Sequence, residues 1–259
     1  MHPLTRIAVS AARRAGDVIL QYYRRGETGE IRQKSENDYV TAADQQAEQV
    51  IIETIHRAHP EHAIRAEESG ASGSSRTVWI IDPIDGTANF MHGLPHFCVS
   101  IACQHDGVLE HAVVYDPVKD ELFTAERGAG AMLDGRRIRV SGVKRLHKAM
   151  LATGFAYRKQ QDIDTHMPAF LGLLRAAGDM RRGGSAALDL AYVAAGRLDG
   201  YWELGLAPWD VAAGMLLVRA AGGIVSDPFG DDALESGNIV ATTPKLHPQL
   251  AAQISSNAA

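Results

Sequence analysis

Val78-Trp79-Ile80-Ile81-Asp82-Pro83-Ile84-Asp85-Gly86-Thr87-Ala88-Asn89-Phe90 joins an apolar run to two carboxylates, a proline and a glycine. The run over 78–81 predicts a buried strand. Asp82 and Asp85 then stand at its end, three residues apart, where like charges repel unless a cation lies between them. Hard oxygen donors of this kind suit Mg²⁺ above all. Gly86-Thr87 opens a helix, and a helix N-terminus attracts anions. A cation site beside an anion site suggests a phosphate ester as substrate. Asp-Pro-x-Asp-Gly also suits an ordinary turn, although turns rarely link so apolar a strand to another apolar segment.

Upstream, Leu4, Ile7, Ala8, Ala11, Val18, Ile19 and Tyr22 recur at helical spacing and predict an amphipathic helix ending near Arg25-Gly26. A polar, extended stretch follows to Val40. Thr41 is placed to cap a second helix that runs to about Ala58, with Pro60 beyond it. Ala63-Ile64-Arg65-Ala66 reads as a short strand and 69–76 as a flexible loop. Downstream, Phe97 to Ala102, Leu109 to Tyr115 and Glu121 to Ala125 read as an antiparallel meander, with turns at 104–107 and 116–117. The second half alternates: a strand at Met150 to Thr153, helical segments at 161–178, 185–196 and 208–221, short strands at 200–202, 224–226 and 238–241, and a last helix from Pro244 to Ile254. This order predicts a layered α/β (α+β) architecture with an antiparallel sheet first and a smaller sheet later. A soft boundary near 141–148 divides an N-terminal α+β half, 1–143, from a C-terminal α/β half, 144–259, within one compact unit.

The 259 residues are 46% hydrophobic and 22% charged, with a net charge of -5. Nothing in that balance marks a nucleic-acid binder. The arginine pairs, Arg13-Arg14, Arg24-Arg25, Arg136-Arg137 and Arg181-Arg182, read mostly as solvated faces, with polyanion binding the alternative. Cys98 and Cys103 lie five apart in one strand, hence on opposite faces, as buried free thiols of a reducing compartment. Charges at Arg6, Arg13, Arg14 and Asp17 interrupt any secretory signal, and no run is long enough to span a membrane. A cytoplasmic location is expected. No histidine pair or Cys-x-x-Cys has zinc spacing; His92 and His96 are separated by a proline and a glycine. Gly-x-Ser-x-Gly is absent, and Gly183-Gly184-Ser185 reads as a helix opening.

Three further acidic positions bear on the opening stretch. Glu67-Glu68 ends the strand before it, Asp44 follows Val40-Thr41, and Asp210 follows Pro208-Trp209 in the first turn of an apolar helix. Each has a plainer reading. A helix dipole alone favours Asp210, and Glu67-Glu68 alone suits a solvated loop.

Taken together these residues resemble the inositol monophosphatase family. The stretch 82–90 matches its first signature, and Trp209-Asp210-Val211-Ala212-Ala213-Gly214 with Ala221-Gly222-Gly223 matches its second. Lys34, Asp38, Val40-Thr41, Asp44 and Glu67-Glu68-Ser69 fit intermediate segments. Gly184 to Val193 resembles the bacterial SuhB-type subgroup, and the likeness runs along nearly the whole chain.

The resemblance implies a sugar-phosphatase fold of alternating αβαβα layers, with the active site between the two halves. It implies Mg²⁺-dependent hydrolysis of myo-inositol 1-phosphate by metal-activated water, a homodimer and lithium sensitivity. It assigns two or three Mg²⁺ ions to Glu67, Asp82, the Ile84 carbonyl, Asp85 and Asp210. Glu67, Asp44 and Thr87 are the catalytic positions, the last two orienting water. Substrate would meet Asp85, the Gly86 and Thr87 amides, Arg181, Ala186, Glu203 and Asp210. Fructose 1,6-bisphosphate and histidinol phosphate remain alternative esters. Phosphoadenosine phosphatases usually carry Lys-Glu-Phe where this chain has Ala88-Asn89-Phe90. The subgroup is also associated with ribosomal RNA transcription complexes, so a binding role in such a complex is the alternative of another class.

Overall fold

Small side chains decide how the first helix packs. Helix α1, Pro3–Arg25, buries Ala8, Ala11, Ala12, Ala15 and Ile19 along one stripe. Its Gly16 lies so close to Tyr115 that a Cβ there would stand 2.6 Å from the ring. Gly26 ends the helix in the left-handed conformation that glycine adopts without strain. The computed structural model describes residues 1–26, 31–35, 38–155 and 161–257. The side chains of 31–39, 161–165 and 257 lie outside the described set, and with them the expectations for Lys34 and Asp38.

The polar stretch before Val40 forms an antiparallel pair, β1 (Ile31–Ser35) with β2 (Asp38–Thr41), in the register Ile31↔Thr41. Helix α2, Ala42–Ala58, follows under the Thr41 cap. Next come β3 (Ala63–Ala66), β4 (Gly70–Ser72), β5 (Thr77–Asp85), the short α3 (Thr87–Met91), β6 (Cys98–His105), β7 (Val108–Asp116), β8 (Glu121–Glu126), β9 (Gly130–Leu133) and β10 (Arg136–Arg137). They make one eight-stranded sheet in the order β10-β9-β8-β7-β6-β5-β3-β4. Its pairings are antiparallel except β3 with β5, which run parallel. The expected loop over 69–76 is therefore partly strand: Gly70–Ser72 pairs with β3 at the sheet edge, where backbone pairing rather than side-chain pattern sets the structure.

The second half holds β11 (Met150–Thr153), α4 (Gln161–Ala176), β12 (Asp179–Arg181), α5 (Ala186–Ala194), β13 (Gly200–Glu203), α6 (Pro208–Ala220), β14 (Ile224–Ser226), α7 (Ala233–Ser236), β15 (Ile239–Thr242) and α8 (His247–Asn257). The five strands order as β12-β11-β13-β15-β14.

Alternation along the strands sorts the core into layers. Trp79, Ile81, Val99 and Cys103 face α1 and α2, while Ile80, Cys98 and Ala102 face α5 and α6. The two free thiols thus lie on opposite faces, as their spacing predicts. Helices α5 and α6 also cover the inner face of the second sheet through Ala152, Tyr201 and Ala241. Leu151, Trp202 and Val240 on its outer face pack with residues of α4 and α8. The order of layers is αβαβα. No helix among the described residues is long and apolar enough to cross a membrane.

Candidate active site

Residues three apart on a regular strand point to opposite faces. Asp82 and Asp85 escape this because β5 carries a bulge between them: Asp82 pairs with Ser100 and Asp85 with Cys98, one residue more on β5 than on β6. The extra residue turns Asp85 to the side of Asp82. Asp210 arrives from the first turn of α6. One carboxylate oxygen from each of Asp82, Asp85 and Asp210 lies within 4.8 Å of the others. Glu67, just past β3 and anchored by its N–H to the Ile81 carbonyl at 3.1 Å, lines the same cleft.

Each acid is held differently. Asp85 Oδ2 accepts from Ser185 Oγ at 2.6 Å and from the Ala187 N–H at 2.7 Å. Asp210 Oδ2 accepts from the Ala207 N–H at 2.7 Å. Asp82 is 2% exposed, and its Oδ1 has no hydrogen-bond partner among the described residues. Burial, reinforced by Glu67, Asp85, Asp210 and Asp44, pushes the Asp82 carboxyl well above the usual range. Burial likewise raises Asp85 to about 6, against the bonds from Ser185 and Ala187. An orphaned buried oxygen, crowded carboxylates and a wholly oxygen donor set fit a divalent hard cation.

Asp44 meets this cluster from α2. Its Oδ2 accepts from Thr41 N at 2.8 Å and Thr41 Oγ1 at 2.5 Å, completing the helix cap. Its Oδ1 lies 3.2 Å from Thr87 Oγ1, which is also 3.0 Å from the Ile84 carbonyl. Burial raises Asp44 to about 6. Gly86, at φ 98°, allows the turn from β5 into α3; a Cβ there would stand 3.0 Å from the His96 carbonyl.

The far wall of the cleft comes from the second half: Gly154, Arg182, Ala186, Tyr201, Glu203 and Leu206. Glu203 is buried and accepts from the Tyr201 hydroxyl; burial raises its carboxyl to about 7. Ala186 opens α5 at the cleft. Arg181 does not line it. Its guanidinium pairs with Asp179 at 2.7 Å, and Arg182 takes the cleft position instead.

A family model described as the inositol monophosphatase family matches residues 1–259. The chain belongs to the inositol monophosphatase family. Within that family it is 53% identical over 249 residues to the Nus factor SuhB of Escherichia coli K12, covering 95% of this chain and 93% of that protein. The crystal structure of extragenic suppressor protein suhB from Bartonella henselae superposes with a TM-score of 0.93 at 40% identity, covering 98% of both chains. An inositol monophosphatase from Anabaena superposes at 0.87 with 42% identity, covering 98% of this chain and 96% of that one.

Sequence reasoning missed several residues that shape this family's site here. Glu48 is 3% exposed and accepts the N–H groups of Glu68 and Ser69, each at 2.8 Å, which fixes the turn carrying Glu67. It lies one helical turn after Asp44 and in the stripe of Ile51 and Ile55, a signal that could have found it. Asn89 donates to the His96 and Gly183 carbonyls at 2.7 and 2.9 Å, tying the α5 turn to the first sheet. A second group of ligand-type side chains, His59, Glu61 and His62, lies away from the cleft. Trp79 donates to His62 Nδ1 at 3.0 Å, so the ring proton sits on Nε2, the nitrogen facing Glu61. Nδ1 is thus taken up as an acceptor, and Nε2 faces Glu61 Oε1 at 3.3 Å.

Proposed function

We propose that this protein is a Mg²⁺-dependent phosphomonoesterase that hydrolyses myo-inositol 1-phosphate to inositol and phosphate. The observation that carries the reading is the buried, unpartnered Oδ1 of Asp82 among Glu67, Asp85 and Asp210, directly beside the Thr87–Asp44 pair. Two or three Mg²⁺ ions held by Glu67, Asp82, the Ile84 carbonyl, Asp85 and Asp210 would supply charge to the phosphoryl group and acidity to water. The protein's own groups do the rest. Thr87 Oγ accepts a hydrogen bond from the attacking water and passes its own proton toward Asp44 Oδ1. Thr41 holds Asp44 with its other oxygen fixed, so the receiving oxygen keeps its direction. The Gly86 and Thr87 amides meet phosphate oxygens. Glu203, Ala186 and Arg182 face the sugar from the other half. Residues 1–143 and 144–259 thus act as one unit across the cleft. We assign the protein to the cytoplasm as a lithium-sensitive homodimer.

Phosphate release from myo-inositol 1-phosphate, fructose 1,6-bisphosphate and histidinol phosphate tests this, with and without EDTA. Turnover that survives complete metal removal would overturn it, and a strong preference for one of the other esters would reassign the substrate. Asp85→Asn should abolish turnover.

The names of the relatives favour a second role, as a partner in a transcription complex. Asp85→Asn protein should then rescue a deletion strain; rescue that requires activity would remove this role.

A further inference from the structure

Several arginines of this protein pair with acids, whereas one segment gathers cations with no acid nearby in sequence. Arg13 meets Asp120, Arg65 meets Glu235, Arg76 meets Asp106, Arg127 meets Glu110, and Arg197 meets Glu121. Arg136, Arg137, Arg139, Lys144, Arg145 and Lys148 are all exposed, and none of the six forms an ion pair among the described residues. They are six of the chain's 26 lysines and arginines, and no Asp or Glu occurs from Gly135 to Phe155. A net charge of -5 for the whole chain conceals this local excess.

The segment is a firmly seated crossover between the two sheets. Ile138 and Val140 pack on the core between them, so alternation turns Arg137 and Arg139 outward. Leu146 is buried in the outer core, which leaves Lys144, Arg145 and Lys148 outside. The backbone is pinned along its length: Val140 N–H to Ala221 carbonyl at 3.3 Å, Thr243 Oγ1 to Val143 carbonyl at 3.0 Å, and Gln249 Nε2 to Lys144 carbonyl at 3.0 Å. A pinned strip loses little backbone freedom when a ligand binds. Cations on a sheet edge also discourage edge-to-edge pairing. That explains Arg136 and Arg137 on β10, but not the four that lie beyond the ladder.

We propose that residues 136–148 bind the phosphodiester backbone of a single-stranded nucleic acid. Four of the six cations are arginines, whose planar guanidinium matches phosphate oxygens two at a time. Five of the six lie along the non-helical run 136–145, ahead of the single 3-10 turn at Leu146–Lys148, and a linear array of this kind suits a linear polyanion better than a compact one. The strip carries no Phe, Tyr or Trp to stack on bases, so contact is to phosphates and indifferent to sequence.

Fluorescence anisotropy with labelled single-stranded RNA and DNA oligonucleotides of mixed sequence tests this on the full chain. With all six cations engaged, log K against log salt falls with a slope of about -4, or about 300-fold between 50 and 200 mM. Arg136→Gln with Arg137→Gln and Arg139→Gln reduces the slope to about -2, or about 20-fold over the same range. Circular dichroism and phosphate-ester turnover of that variant should match the parent, since none of the three lines the cleft. Arg76→Gln with Arg127→Gln, which removes two paired cations, should leave the slope unchanged. Absence of saturable binding at 50 mM salt overturns the proposal, as does a triple variant with the parent slope. Displacement of the strand by oligoglutamate at equal charge concentration also overturns it and assigns the strip to an acidic polypeptide.

Discussion

Asp82→Asn should stabilise the metal-free protein. With an effective dielectric of about 20, two ionised carboxylates 4.8 Å apart repel by about 3.5 kcal/mol. Asp82 faces both Asp85 and Asp210 at that range or closer, so the full repulsion would exceed the stability of many domains. Protonation sets a ceiling. Asp82 starts from a carboxyl of 3.8 in the unfolded chain, and taking up a proton at pH 7 costs about 4 kcal/mol there. The folded-state value lies well above 3.8, so the folded protein binds more protons than the unfolded one as pH rises past 3.8. Stability of the metal-free parent therefore falls through that range, and the asparagine variant is spared. Its gain should be about 2–4 kcal/mol at pH 7, a rise in melting temperature of about 4–8 °C for a chain of this size, vanishing toward pH 4. The introduced amide finds carboxylate acceptors on Asp85, Asp210 or Glu67. Melting curves in EDTA and in Mg²⁺, at pH 4.5 and 7.5, make the comparison. Added Mg²⁺ should stabilise the parent more than the variant, because a cation that binds only the folded state shifts stability by mass action. A variant no more stable than the parent in EDTA at pH 7.5, or a difference that ignores pH, would refute this account of the cluster.

Glu48→Ala should weaken Mg²⁺ activation about tenfold or more, as loss of an outer hydrogen bond to a ligand-bearing segment commonly does; a titration of activity against Mg²⁺ with unchanged half-saturation would contradict it. Gly154→Ala places a Cβ 2.1 Å from Glu203 Oε2, so Glu203 must shift; KM for inositol 1-phosphate should rise, while turnover of a small aryl phosphate that never reaches Glu203 is retained. His166, 2% exposed and stacked on Trp202 at 4.2 Å, is held down to about 4 by burial. The unfolded chain takes its proton first, so the parent should lose up to about 3 kcal/mol relative to His166→Phe as pH falls from 6.5 to 4. Urea unfolding at pH 7 and 4.5 reads this, and parallel losses in both proteins would count against it.

What could be read from the sequence was what repeats at short range. The α1 stripe, the Thr41 cap, the apolar run of β5, the opposite faces of Cys98 and Cys103 on β6 and the position of Asp210 on α6 all follow from neighbours within a few residues. Failures came where partners are distant or a single residue decides. Strand β4 is a Gly-Ser segment that is ordered only because β3 offers it an edge. Ser185 and Ala187 reach Asp85 across about a hundred residues of chain, with no local trace. Arg181 ends β12 and Arg182 follows it, so a single residue separates the one paired with Asp179 from the one at the cleft. The bulge between Asp82 and Asp85 shows the same dependence: without it their spacing would have set them on opposite faces.

The helix starts resolve a tension between the two readings of each acid. An aspartate in a first helical turn can be a cap or a cation ligand, and the sequence presents these as rivals. In the fold each cap engages one oxygen of its carboxylate. Asp44 gives one oxygen to the Thr41 amide and hydroxyl and faces Thr87 with the other. Asp210 gives one oxygen to the Ala207 amide, and Asp85 gives one to the start of α5. Each bond removes the side chain's freedom to rotate away from its neighbours, and the positive ends of α2, α5 and α6 offset part of the crowding. Capping therefore holds like charges together where solvent alone would let them separate. Asp82 stands on a strand and has no helix to cap, which is why its Oδ1 is left without a partner and why it depends most on a cation. The difference orders the expected effects of neutralisation. Asparagine at 82 should relieve the metal-free protein. Asparagine at 85 should relieve it less, because the substituted amide must set an N–H or lose an acceptor against Ser185 and the Ala187 amide. A metal-free Asp85→Asn protein that gains as much stability as Asp82→Asn would show that the caps hold nothing in place.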